Sequence, residues 1–117
     1  MSSGLNVHKK HVIEYAVSGW FSNDSRNFTR ILRNLDVDFY QNEEEDEFEI
    51  ERENLLKGIE TLKKIDRKEE TDVDVDIKEL SICLDEESIT LNELISCFEW
   101  LCTKSDQKHD TIYISYY

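Results

Sequence analysis

The chain has 117 residues and 13.9 kDa, 38% apolar and 35% charged, with 27 acidic against 14 basic side chains and a net charge of -13. One domain spanning residues 1–117 can bury roughly two thirds of its unfolded surface, and 10% aromatics with strongly periodic apolar segments exclude a charge-rich disordered chain. The same charge excludes unaided binding to nucleic acid or anionic lipid, which needs clustered Lys and Arg, and favours a cationic partner.

The acidity is unevenly placed. Residues 1–34 hold five basic and two acidic side chains, residues 35–117 nine and twenty-five, so a +3 segment precedes one of -16. No apolar h-region opens the chain and no run of about eighteen apolar residues occurs, so neither a signal peptide nor a membrane span is expected. Cys83, Cys97 and Cys102 are odd in number, form no CxxC pair and lie in apolar stretches, which predicts reduced core thiols and a cytoplasmic setting.

In chain order, His11 to Phe21 alternates Ile13, Tyr15 and Val17 against Val12, Glu14, Ala16 and Ser18, which predicts a strand closed by Gly19. Ser22, Asn23, Asp24 and Ser25 then offer N-cap oxygens to a helix with Phe28, Ile31, Leu32 and Leu35 on one face and Arg26, Arg30 and Arg33 opposite. Asp36 to Gln41 and Glu47 to Glu51 alternate apolar and acidic residues, predicting a β-hairpin whose connection, Asn42 to Asp46, carries Glu43, Glu44, Glu45 and Asp46. Arg52 to Ile65 reads as a helix with Leu55, Leu56, Ile59 and Leu62 inward and Glu53/Lys57 and Glu60/Lys64 pairs outside.

After a charged loop, Asp72-Val-Asp-Val-Asp-Ile77 alternates again, followed by Leu80, Ile82 and Leu84 in the opposite phase, so a strand bulged near Lys78 is expected. Thr90 to Thr103 is a helix opened by a Thr90/Glu93 capping box and an Ile89/Leu94 staple. Thr111 to Tyr117 closes the chain as a β-branched and aromatic strand. The expected architecture is α+β, a single domain in the order β-α-β-β-α-β-α-β, with a mixed or mainly antiparallel sheet and about three packed helices.

The chemistry these residues can support is limited. Gly4, Gly19 and Gly58 are scattered singly, so no phosphate-cradling loop is present. Asp72, Asp74 and Asp76 match the first ligands of a calcium loop, but the sixth and twelfth positions are Ile77 and Cys83 where Gly and Glu are required. His8 and His11 stand at i,i+3 with only the distant His109 to join them, too few for a zinc site. No metal, cofactor or catalytic residue is therefore expected, and the chain reads as a non-enzyme.

What remains is an interaction surface. In the predicted hairpin, Asp36, Asp38, Glu47, Glu49 and Glu51 project from one face while Val37, Phe39, Phe48 and Ile50 take the other. Selection for stability alone would have broken up such like charges, so the face suggests a partner whose Lys and Arg relieve the repulsion. On the last helix Trp100 falls nearly opposite the Leu91/Leu94/Phe98 stripe and is expected to be an exposed interface anchor, with Tyr113, Tyr116 and Tyr117 as possible extensions.

With carboxylates clustered at Glu43 to Glu53 and Asp72 to Asp76, and with Trp100, this small acidic chain resembles the immunity proteins of bacterial toxin-immunity pairs, including those of contact-dependent growth inhibition. The resemblance is one of type rather than motif. It implies an inhibitor that covers the active-site groove of a basic toxin nuclease, its carboxylates standing where substrate phosphates would lie. Two other readings fit the same residues: a phage-type DNA mimic that blocks a host defence or DNA-binding protein, and a non-catalytic accessory subunit.

Overall fold

The computed structural model of the chain describes residues 5–9, 13–17, 26–42, 47–104 and 108–116. They form β1 (Leu5–Lys9), β2 (Ile13–Val17), α1 (Arg26–Asn34), β3 (Tyr40–Asn42), β4 (Glu47–Glu51), α2 (Arg52–Asp66), α3 (Ile77–Glu87), α4 (Leu91–Lys104) and β5 (Thr111–Tyr116). The fold is α+β. Its strands make one sheet in the order β2-β1-β5-β4-β3, every pair antiparallel, with the last strand in the middle.

One face of the sheet carries the core. Phe48 and Ile50 of β4 and Ile112 and Ile114 of β5 are fully or almost fully buried there. Phe28 of α1 meets Phe48 edge-on at 5.4 Å and Phe98 of α4 at 6.1 Å, so three rings join the sheet to two helices. Gly58 is the close-approach point of α2: a Cβ there would lie 2.8 Å from Val37 Cγ2, so the helix backbone comes nearer Val37 than any larger residue permits. Arg52 ties the β4–α2 junction to the far end of the chain. Its guanidinium donates to the carbonyls of Cys102 and His109, and its N–H donates to Asp110 O at 2.7 Å.

Three expectations about elements are corrected. The stretch 72–84 is not a bulged strand: 72–76 is irregular, and α3 begins at Ile77, capped by the Asp76 carboxylate, which accepts from Glu79 N–H at 3.1 Å. The phase change near Lys78 marks a switch from period two to period 3.6, with Leu80, Cys83 and Glu87 buried at i, i+3 and i+7. Asp36 to Phe39 is also outside the sheet, because α1 ends in a Schellman motif. Asp36 takes φ 58°, its N–H donates to Arg33 O, and Val37 N–H donates to Leu32 O. An additional strand, β1, precedes β2; of the strand predicted over 11–21, residues 13–17 are described and all belong to β2, while the rest, with Gly19 and the Ser22, Asn23, Asp24 and Ser25 capping cluster, lie outside the described residues. The order is thus β-β-α-β-β-α-α-α-β, with four helices among the described residues.

The best-signalled helix forms as the sequence predicts. Glu93 N–H donates to Thr90 Oγ1 at 3.1 Å and Thr90 N–H to Glu93 Oε1 at 3.3 Å, the reciprocal bonds of a capping box. The Glu53/Lys57 pair is present at 3.8 Å, whereas Lys64 reaches Asp72 at 3.6 Å rather than Glu60. Arg30 does not point away from the fold as expected: it donates to Glu79 at 2.9 Å and 2.5 Å and to Asn27 at 2.8 Å, clamping α1 to α3. Beside it the buried Asn27 donates to the buried Glu87 carboxylate at 2.7 Å.

Candidate acidic binding face

β4 alternates strictly: Phe48 and Ile50 go inward, and Glu47, Glu49 and Glu51 go to the other side of the sheet, where Glu47 and Glu51 are exposed and Glu49 is half-buried. Alternate residues on a strand lie about 6.8 Å apart, so the three carboxylates form an evenly spaced row. Among the described residues no Lys or Arg pairs with them; Glu51 accepts only the Thr111 hydroxyl, at 2.9 Å.

The neighbours across the strands are not the acids expected. Glu49 stands opposite Tyr40 of β3 on one side and Tyr113 of β5 on the other, while Glu51 faces Thr111. Paired residues share a face, so a Tyr40–Glu49–Tyr113 row crosses the sheet's outer side; Tyr40, on the edge strand, is 61% exposed and Tyr113 half-buried. On the far side of β5, β1 registers His8 opposite Tyr113. Like charges therefore adjoin along β4 but not across the ladder.

The remaining predicted site residues disperse. Asp36 sits in the C-terminal cap of α1 and Asp38 in the irregular segment after it, both exposed and neither on the hairpin face. Their displacement follows from the Schellman turn, which uses up the residues that would have begun the strand. Glu43, Glu44, Glu45 and Asp46 lie outside the described residues. Asp72 pairs with Lys64 and Asp74 is exposed, whereas Asp76 caps α3 and is held by Asn34, whose amide bonds both Asp76 N–H and Asp76 O at 2.8 Å. Asp76 is thus a folding residue. Asp36, Glu53, Glu60 and Asp72 line a separate groove of about 500 Å³ with Leu56, where Lys57 and Lys64 offset their charge.

Trp100 is not an exposed anchor. It is half-buried and packs against the core, because the buried arc of α4 is wide, running from Cys97 through Leu94, Leu101 and Phe98 to Ile95 and Cys102. Trp100 lies about 60° around the helix from Cys97, at the margin of that arc.

The three cysteines are buried as expected. Burial pushes the thiols of Cys83, Cys97 and Cys102 above the ordinary thiol value, Cys97 most of all, so they stay protonated and are poor nucleophiles. Among the described residues no three His, Cys, Asp or Glu side chains are grouped to hold a metal ion, and no helix is long and apolar enough to cross a membrane. Tyr40 is the member of the face that sequence reasoning misses: it stands two residues after Asp38, in phase with the acidic side of the predicted strand, but its place beside Glu49 depends on the hairpin register. Compared with protein-family models, curated proteins and solved structures, the chain matches none of them.

Proposed function

We propose that this chain is a non-catalytic acidic inhibitor of the immunity-protein kind, which binds a basic toxin nuclease domain in the cytoplasm and covers its active-site groove with the outer face of the β3–β4–β5 sheet. The observation that carries the reading is the row Glu47, Glu49 and Glu51, regularly spaced on an outward sheet face and unpaired with any described Lys or Arg. A nuclease groove is lined with cations placed to meet a row of phosphates, and a row of carboxylates with tyrosines beside it offers that groove both charge and ring surface. Only binding is required of these residues.

The test is protection. The basic protein captured by the chain is expressed alone and with it, and its nuclease activity and toxicity are measured. Both should be suppressed by the wild-type chain and restored when Glu47, Glu49 and Glu51 are replaced together by Gln. A captured partner with no nuclease activity, or one suppressed equally by the Gln variant, would remove this reading.

A further inference from the structure

We infer that the Tyr40–Glu49–Tyr113 row is an arginine-recognition site, the anchor point of a basic polypeptide partner on the outer sheet face. The inference rests on reading that face as the partner-binding surface, and it names the chemical group bound there. The register fixes the arrangement: Tyr40 and Tyr113 flank Glu49 from the two neighbouring strands. Adjacent strands are about 4.8 Å apart, so the two tyrosines are separated by roughly 9.6 Å at the backbone. A cation held by the Glu49 carboxylate then has one tyrosine a strand's spacing away on each side, and a tyrosine ring attracts a cation that comes within about 6 Å of its centroid.

The geometry favours guanidinium over ammonium. A guanidinium is planar, stacks on aromatic faces and is weakly hydrated, and its fork can grip a carboxylate while its face meets a ring. An ammonium is a compact, strongly hydrated point charge that must shed more water to meet the rings and cannot stack on them. The tyrosines also distinguish this row from the other acidic places on the molecule. Asp72 already has Lys64, Glu69 already has Arg67 at 2.7 Å, and the groove beside α2 contains Lys57 and Lys64 among its walls. Tyr40, at 61% exposure on the sheet edge, has a ring open to a partner.

The experiment titrates the whole chain with hexa-arginine and hexa-lysine peptides, which carry equal charge, and follows backbone amide shifts. Hexa-arginine should bind at least tenfold more tightly than hexa-lysine, with the largest shifts at residues 40, 49 and 113. Tyr40→Leu should abolish the preference while leaving the weak, charge-driven affinity for both peptides. Tyr40→Phe, which keeps the ring, should retain the preference, and Asp74→Asn should change neither affinity by more than about twofold. Equal affinity for the two peptides overturns the inference, as do shifts centred on residues 69–76. The wild-type comparison needs no variant to fold. Failure here leaves the inhibitor reading standing if nuclease protection is observed, whereas absence of protection leaves the arginine site standing if the peptide preference is observed.

Discussion

Asp36, Lys68 and Ser88 are the three described non-glycine residues with positive φ, at 58°, 59° and 56°, and each follows a helix. In each case the next residue's N–H reaches five positions back, as Glu69 N–H does to Lys64 O at 2.8 Å and Ile89 N–H to Leu84 O at 3.1 Å. Glycine ordinarily takes this position because a Cβ is strained there. With only three glycines in 117 residues, the chain ends its helices without the usual marker, so in sequence the end of α1 resembles the start of a strand. Asp36→Gly should raise stability by about 0.5–1 kcal/mol in urea unfolding. It should not weaken partner binding, since Asp36 is a cap residue; a binding loss would return it to the interface. The cysteines give a second expectation. Buried and with raised thiol pKa values, Cys83, Cys97 and Cys102 should resist alkylation at pH 8 in the folded chain and react on unfolding. Rapid modification of the native protein would contradict their placement.

Helices α3 and α4 show what local sequence can and cannot specify. α4 was legible because its cap residues Thr90 and Glu93 stand beside an apolar stripe of helical period, and both signals agree. α3 was not, because the alternating residues before it imitate a strand, and its N-cap, Asp76, is one of the alternating acids. Periodicity there was two through Ile77 and helical after it. Thr90→Ala and Asp76→Ala should each cost about 1 kcal/mol by thermal melting, as lost N-caps do. If Asp76→Ala leaves stability unchanged but weakens partner binding, the capping role assigned to it is wrong. Phe98→Ala, removing a fully buried ring that packs edge-on against Phe28, should cost roughly 3–5 kcal/mol. Trp100→Ala should also lower the melting temperature, by less than Phe98→Ala, because Trp100 packs only at the edge of the buried arc. Alternation across Glu47–Glu51 was read correctly in sequence, since Phe48 and Ile50 demand the core. The partners opposite it were not, because a register set by a connection and by a strand sixty residues away leaves no local trace.

Across the molecule the acids divide into those that build the fold and those that do not. Glu79 and Glu86 hold Arg30, Glu87 accepts from Asn27, and Asp76 caps α3, whereas Glu47, Glu49 and Glu51 make no ion pair with any described Lys or Arg. Neighbouring carboxylates about 6.8 Å apart along β4 repel by about half a kcal/mol in water, so the row slightly destabilises the free chain. A partner reached through such a face should associate under electrostatic steering. On-rates should fall by at least an order of magnitude between about 0.1 M and 1 M salt, as the Debye length shrinks from about 10 Å to about 3 Å; an on-rate independent of salt would rule steering out.

The deciding experiment pairs a thermal melt with a titration, using Glu47→Gln/Glu49→Gln/Glu51→Gln against the captured basic protein. Shape is kept and three like charges are removed, so the free variant should melt no lower than wild type and should gain some tenths of a kcal/mol. Each carboxylate lost from a desolvated ion pair leaves a partner cation unpaired at a cost of about 2–5 kcal/mol, so affinity should fall at least a hundredfold. A variant that binds as tightly as wild type, with the same salt dependence, would show that the outer sheet face is solvated surface and that the partner docks elsewhere.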